Sequence, residues 1–119
     1  MGDMTRNFSR GEFSCKCGCG YDGIKNVLVF ALQIVRDHFD RKVVVSSGCR
    51  CGAHNKHEGG TVNSKHLFGI AADFNVNGVH PTEVANFVDK SFGGSNGLGR
   101  YKTFTHLDIR KDGRARWGE

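Results

Sequence analysis

Two histidines and two aspartates carry the chemistry this sequence offers most directly. In residues 64–74, SKHLFGIAADF, His66 precedes Asp73 by seven positions, and Asp73 is an acid set inside an apolar run. In residues 104–110, FTHLDIR, His106 and Asp108 alternate with Leu107 and Ile109. Two imidazoles and one carboxylate make a three-ligand zinc site with a fourth position open to water, the arrangement of catalytic rather than structural zinc. Zinc so held brings the pKa of water to roughly 7, where it can attack a carbonyl. Spacing alone is weak evidence, because a histidine and an aspartate at this separation also arise by chance and serve as caps or surface pairs.

Such a site needs elements that turn these residues to one surface. Side chains of a strand alternate between two faces. In residues 70–76, IAADFNV, one face carries Ala72, Phe74 and Val76 and the other Ala71, Asp73 and Asn75, so Asp73 points away from the core. In FTHLDIR, Leu107 and Ile109 make the apolar face, and Phe104, His106, Asp108 and Arg110 project from the opposite one. If the two strands are neighbours in a sheet backed by helices, Asp73, His106 and Asp108 share a surface, and His66 reaches it from the preceding loop.

The backing helices are legible. Val27, Leu28, Ala31, Ile34, Val35 and Phe39 recur at helical spacing and predict an amphipathic helix over residues 25–40. Pro81 suits a first helical position, and Val84, Phe87 and Val88 predict a second helix over 82–92. KVVVS, residues 42–46, predicts a buried strand ended by Gly48. Ser9-Arg10-Gly11-Glu12 reads as a capping box on a single helical turn. A long loop is expected from Gly48 to about Asn63, and FGGSNGLG, residues 92–99, reads as a flexible connection. The expected fold class is α+β, a small, mainly antiparallel sheet backed by helices, in one domain over residues 1–119 with a cysteine-bearing segment at 1–22.

Composition limits the partners. A chain of 119 residues with 38% hydrophobic content suffices for one core. No stretch approaches the roughly 18 consecutive apolar residues of a membrane span, and the N-terminus lacks the apolar core of a signal peptide. The expectation is a chain made in the cytoplasm, with no membrane partner. Seventeen basic against twelve acidic residues give +5, which favours a polyanion such as nucleic acid or an anionic cell wall. The excess is modest and spread along the chain, so a solvated surface is the preferred reading and no nucleic-acid partner is expected.

SGCRCGAHN (residues 47–55), the Gly-Gly pair and NSKHLFGIAADF (59–74), FTHLDIR (104–110) and ARW (115–117) together resemble the zinc D-Ala-D-Ala carboxypeptidases of the M15 peptidase family, especially short phage and bacterial members. The resemblance spans roughly residues 8–117 and implies the fold shared with the hedgehog signalling domain. S-x-H-x-x-G-x-A-x-D precedes H-x-D and follows S-G-x-R in the family's order. It implies that His66, Asp73 and His106 are zinc ligands, that Arg50 grips a substrate carboxylate, and that the substrate is a peptidoglycan stem peptide, cut by carboxypeptidase or endopeptidase action. A monomeric lytic enzyme reaching the cell wall by phage-mediated release fits the same resemblance. One departure stands out: many members place an acid three residues before the last histidine ligand, where this chain has Thr103. Asp108 is the substitute candidate for general base, and its other reading is as an orienter of a histidine ligand. His54 and Asn55 are expected to line the cleft, and Ser64 to shape the loop of His66. His38, His57 and His80 read as surface or capping residues, and Phe68, Phe74 and Phe104 as core. Arg50 could instead pair with an acid such as Glu58.

Five cysteines fall in two groups, Cys15-x-Cys17-x-Cys19 and Cys49-x-Cys51. A second, structural zinc held by N-terminal cysteines and the Cys49/Cys51 pair is one reading. Free thiols, or a disulfide from the N-terminal segment to Cys51, are the others. Two rival functions follow: a zinc-containing cell-wall binding module without hydrolysis, permitted by Thr103, and a zinc-ribbon nucleic-acid binder built on the cysteines and the positive charge.

Overall fold

The computed structural model describes residues 2–59, 64–92, 95–111 and 113–118. Helix α1, Asn26–Phe39, leads into strand β1, Val43–Ser47, and a short helix α2, Gly52–His57. Strand β2, Ala71–Val76, is followed by helix α3, Pro81–Ser91, and by strands β3, Gly97–Arg100, β4, Thr105–Asp108, and β5, Ala115–Gly118. The sheet order is β1-β2-β4-β3-β5, antiparallel throughout except for the parallel β3–β5 edge. This is the expected small α+β arrangement.

Register explains why the two polar strand faces coincide. Ala72 lies opposite Leu107, and Leu107 opposite Leu98, so one rung of apolar side chains crosses three strands and is almost wholly buried. Phe74 joins it, and Leu28, Leu32 and Val35 of α1 and Val84 and Val88 of α3 complete the core from the helix side. The next rung faces the other way. It runs from Ser47 through Asp73, His106 and Gly99 to Trp117, crossing all five strands, and a third aligns Ala71, Asp108, Gly97 and Ala115.

Several local expectations hold and several need correction. The Ser9 capping box is present on a 3-10 turn, Arg10–Phe13. His80 caps α3, its Nδ1 accepting from the Thr82 amide at 3.1 Å. The buried stripe of α1 is Leu28, Val29, Ala31, Leu32 and Val35, whereas Val27 and Ile34 are exposed. The helix is apolar on most of its circumference, so spacing alone does not fix which stripe docks. Phe68 is 52% exposed rather than core. Helix α2 lies within the stretch expected to be loop; it is polar, with Asn55 its one buried residue, and offers no apolar period to detect. Strand β3 lies in the stretch expected to be a flexible connection, and β5 had no separate expectation. Residues 60–63 of the expected loop and 93–94 of the connection lie outside the described residues.

Candidate metal centre

His66 sits on a short 3-10 turn, Lys65–Phe68, whose first amides are capped by Ser64, the hydroxyl accepting from the His66 amide at 3.3 Å. Its Nδ1 lies 2.7 Å from the carbonyl of Gly48. A carbonyl only accepts, so Nδ1 carries the proton and Nε2 is left with its lone pair, 3.4 Å from Oδ1 of Asp73. The same Oδ1 lies 2.8 Å from Nδ1 of His106, which stands directly across the β2–β4 ladder. The other ring nitrogen, Nε2, is 2.8 Å from Oδ2 of Asp108. All three residues facing this point are buried, and their donor atoms lie within 4.8 Å of one another.

Asp108 is fully buried. Arg110 closes on it as a fork, Nε to Oδ1 at 2.8 Å and Nη2 to Oδ2 at 2.7 Å, and the Arg110 amide adds a third donor at 3.2 Å. Burial pushes this carboxyl up, but the Arg110 and His106 donors outweigh it and hold the group well below the usual carboxylate range. Asp73 behaves alike: burial raises it, and hydrogen bonds and charge from His106 and His66 bring it far down. Burial alone would lower His106, yet Asp108 and Asp73 on its two nitrogens raise it. The centre is therefore two ionised carboxylates flanking an imidazole, one at each ring nitrogen.

Zinc bonds to nitrogen and oxygen of roughly 2.0–2.2 Å set tetrahedral ligand atoms about 3.3–3.6 Å apart. The 3.4 Å and 2.8 Å separations here need only small adjustment. Each histidine also has its outward nitrogen anchored, one on a carbonyl and one on a carboxylate, as metal-binding imidazoles do. The donor set fits zinc.

These residues open onto a cleft of about 540 Å³. Arg50 lines it, its Nε donating to Ser47 Oγ at 3.2 Å and its Nη1 to Asn55 Oδ1 at 3.4 Å, with Nη2 at 3.6 Å from Asp73 Oδ2. Its acidic partner is thus Asp73, not the Glu58 considered from sequence. Asn55 supports Arg50 from beneath, and neither it nor His54 is among the residues lining the cleft. The opposite wall is aromatic: Tyr101 and Phe104 stack at 4.3 Å, and Trp117 donates to the Tyr101 hydroxyl at 2.9 Å. Phe104 thus belongs to the cleft rather than the core. Lys65 and Arg110 line it too. The alternation that sets His106 on the polar strand face sets Phe104 and Arg110 there too, and Trp117 falls in the ARW stretch of the family resemblance; Tyr101 carries no comparable signal. His38 is exposed, as a surface residue should be, and stacks on Phe87 at 3.8 Å.

The cysteines divide differently from expectation. Cys51 meets Cys15, Cys17 and Cys19, whereas Cys49 turns into the core, where burial first of all pushes its thiol up to about 11.

No curated protein matches the chain. The Peptidase M15 family model matches residues 6–108, a span that takes in the His66 turn, both strands of the centre and the Arg50 loop. By that match over most of its length, the chain belongs to the M15 peptidase family.

Proposed function

We propose that this peptidase is zinc-dependent and hydrolyses peptide bonds in peptidoglycan stem peptides, with His66, Asp73 and His106 as the metal ligands. The observation that carries the reading is the convergence of His66 Nε2 and His106 Nδ1 on one carboxylate at the floor of a cleft that a cation, Arg50, overlooks. Zinc bound there supplies the Lewis acidity that polarises a peptide carbonyl and makes water nucleophilic near neutral pH. The chain's own residues do the rest. Gly48 holds the proton of His66 on Nδ1, and Asp108 receives the proton of His106 on Nε2, so each ring presents its remaining nitrogen to the shared point. Of the two roles open to Asp108 we propose that of positioning residue, because its oxygens are engaged by Arg110 and His106 and it is shut away from solvent.

Arg50 is the group for a substrate carboxylate. A guanidinium stays charged at any working pH and offers parallel donors that match a carboxylate in its plane. Ser47 and Asn55 set its plane, and the aromatic wall of Tyr101, Phe104 and Trp117 gives the peptide an apolar surface to lie on. Digestion of purified peptidoglycan by the zinc-loaded protein, with and without chelator, followed by mass spectrometry, tests the proposal. New peptide termini that vanish with chelator are expected, and their masses identify the bond. An intact digest with zinc-loaded protein would refute hydrolysis. Thr103 favours one second reading, a cell-wall binding module, for which binding without cleavage is the signature.

A further inference from the structure

We propose that Cys15, Cys17, Cys19 and Cys51 hold a zinc ion of their own, a structural site that fastens the N-terminal segment to the two loops carrying Arg50 and His66. The inference stands independently of the proposed catalytic centre.

The argument begins with an improbable convergence. Three cysteines within five residues would spread over about 13 Å in an extended strand. Here the chain folds back, with Gly18 and Gly20 at φ +85° and +90°, a conformation other residues rarely adopt, and all four sulfurs lie within 4.8 Å of one another. Burial does not explain the gathering, because Cys17 and Cys19 are exposed. The distances fit one ion. Zinc–sulfur bonds of about 2.3 Å give a tetrahedron with edges of about 3.8 Å; Cys15–Cys17, Cys17–Cys51 and Cys15–Cys51 measure 3.4, 3.6 and 3.9 Å. A polynuclear iron–sulfur cluster spreads its four cysteines over two or more irons and would hold those on different irons farther apart than the 4.8 Å that spans all four here, so a single tetrahedral ion is the better match.

Backbone donors complete the surroundings. The Cys51 amide points at Cys15 Sγ and the His54 amide at Cys51 Sγ, both at 3.4 Å. Amides aimed at sulfur stabilise thiolate and orient it, as outer partners of a metal ligand do. The consequence reaches the cleft by two routes. Cys51 follows Arg50 directly. Cys15 is bonded through its amide to Tyr21, whose hydroxyl donates to the carbonyl of Leu67, next to His66. One ion at the four sulfurs therefore braces both arms.

The test uses the His66→Ala protein, in which the other site is disabled, expressed with zinc and separately reconstituted with cobalt(II). About one zinc per chain should survive desalting, to be released to a colorimetric chelator only as the four clustered thiols react with a mercurial reagent. The cobalt form should carry thiolate-to-metal charge-transfer absorption and the intense visible bands of a tetrahedral sulfur site. Cys17→Ser and Cys19→Ser, at exposed positions, should each lower zinc retention tenfold or more against a competing chelator, and the cobalt spectrum of the parent does not depend on how those variants fold. A His66→Ala protein that takes up neither metal, with its thiols reacting freely or its mass showing a disulfide, overturns the proposal. Because catalysis is not the readout, failure here and failure of the peptidase reading are separable.

Discussion

Replacing Asp108 by Asn separates a positioning carboxylate from a general base, because the two roles predict opposite pairs of measurements. Asparagine keeps the shape but removes the charge that receives Nε2–H of His106 and that faces the Arg110 fork. Loss of such an outer partner lowers metal affinity about 10–100-fold, or roughly 1.4–2.7 kcal/mol of zinc binding. The substitution also costs stability. Breaking a fully buried ion pair by removing one partner costs about 3–5 kcal/mol, but the Arg110 side chain is 20% exposed and water can still reach it, so about 2–3 kcal/mol is the expectation. Zinc affinity is therefore measured on the folded variant, well below its Tm, by competition with a chromophoric chelator, and turnover is measured at saturating zinc. The expected result is weakened zinc binding with kcat within about tenfold of the parent. Unchanged zinc affinity with kcat reduced about 10²–10⁴-fold would mean that Asp108 moves protons in the reaction, and the positioning role would be wrong.

Other substitutions probe the cleft and its supports. Arg50→Lys keeps the charge and loses the fork, so it should mainly raise KM, and Arg50→Ala should abolish any preference for a free-acid stem peptide over its amidated twin; an unchanged preference refutes the contact. In Gly97→Ala the new Cβ would collide with the Asp108 carboxylate, lying 2.6 Å from its Cγ, so the variant should lose about 1–3 kcal/mol in denaturant unfolding and weaken zinc as Asp108→Asn does. Asp89 is held below its ordinary pKa chiefly by the hydrogen bond from Arg116, with Arg114 and Arg100 nearby. A depressed folded value adds stability above the unfolded pKa of about 3.9 that disappears as pH falls through the folded one. Urea midpoints of Asp89→Asn should therefore fall less between pH 5 and about pH 2 than those of the parent, and parallel curves would exclude the linkage.

The parts of the centre that were legible in the sequence are those whose function agrees with local structural preference. Asp73 and His106 sit on strands whose other faces, Ala72, Phe74 and Leu107, are apolar, so the period of two marks both the core and the site, and the antiparallel register then sets them opposite one another. Strand β3 shows the reverse. Glycine is a poor strand former, and Gly97-Leu98-Gly99 reads as a connection. Yet Gly97 lies opposite Asp108 and Gly99 opposite His106, and side chains there would strike the Asp108 carboxylate and, at 2.7 Å, the indole nitrogen of Trp117. The strand gives up its own packing so that a buried carboxylate can reach an imidazole and an indole can close the cleft wall. A local rule is broken where the neighbouring side chains need the room. The same reasoning covers α2, whose short polar helix offers no apolar period because its one buried residue, Asn55, carries an Oδ1 that orients Arg50. Leu98 supplies the check on this account: flanked by the two glycines but facing the core, it is fully buried against Leu107, as a side chain on the unconstrained face of the same strand should be.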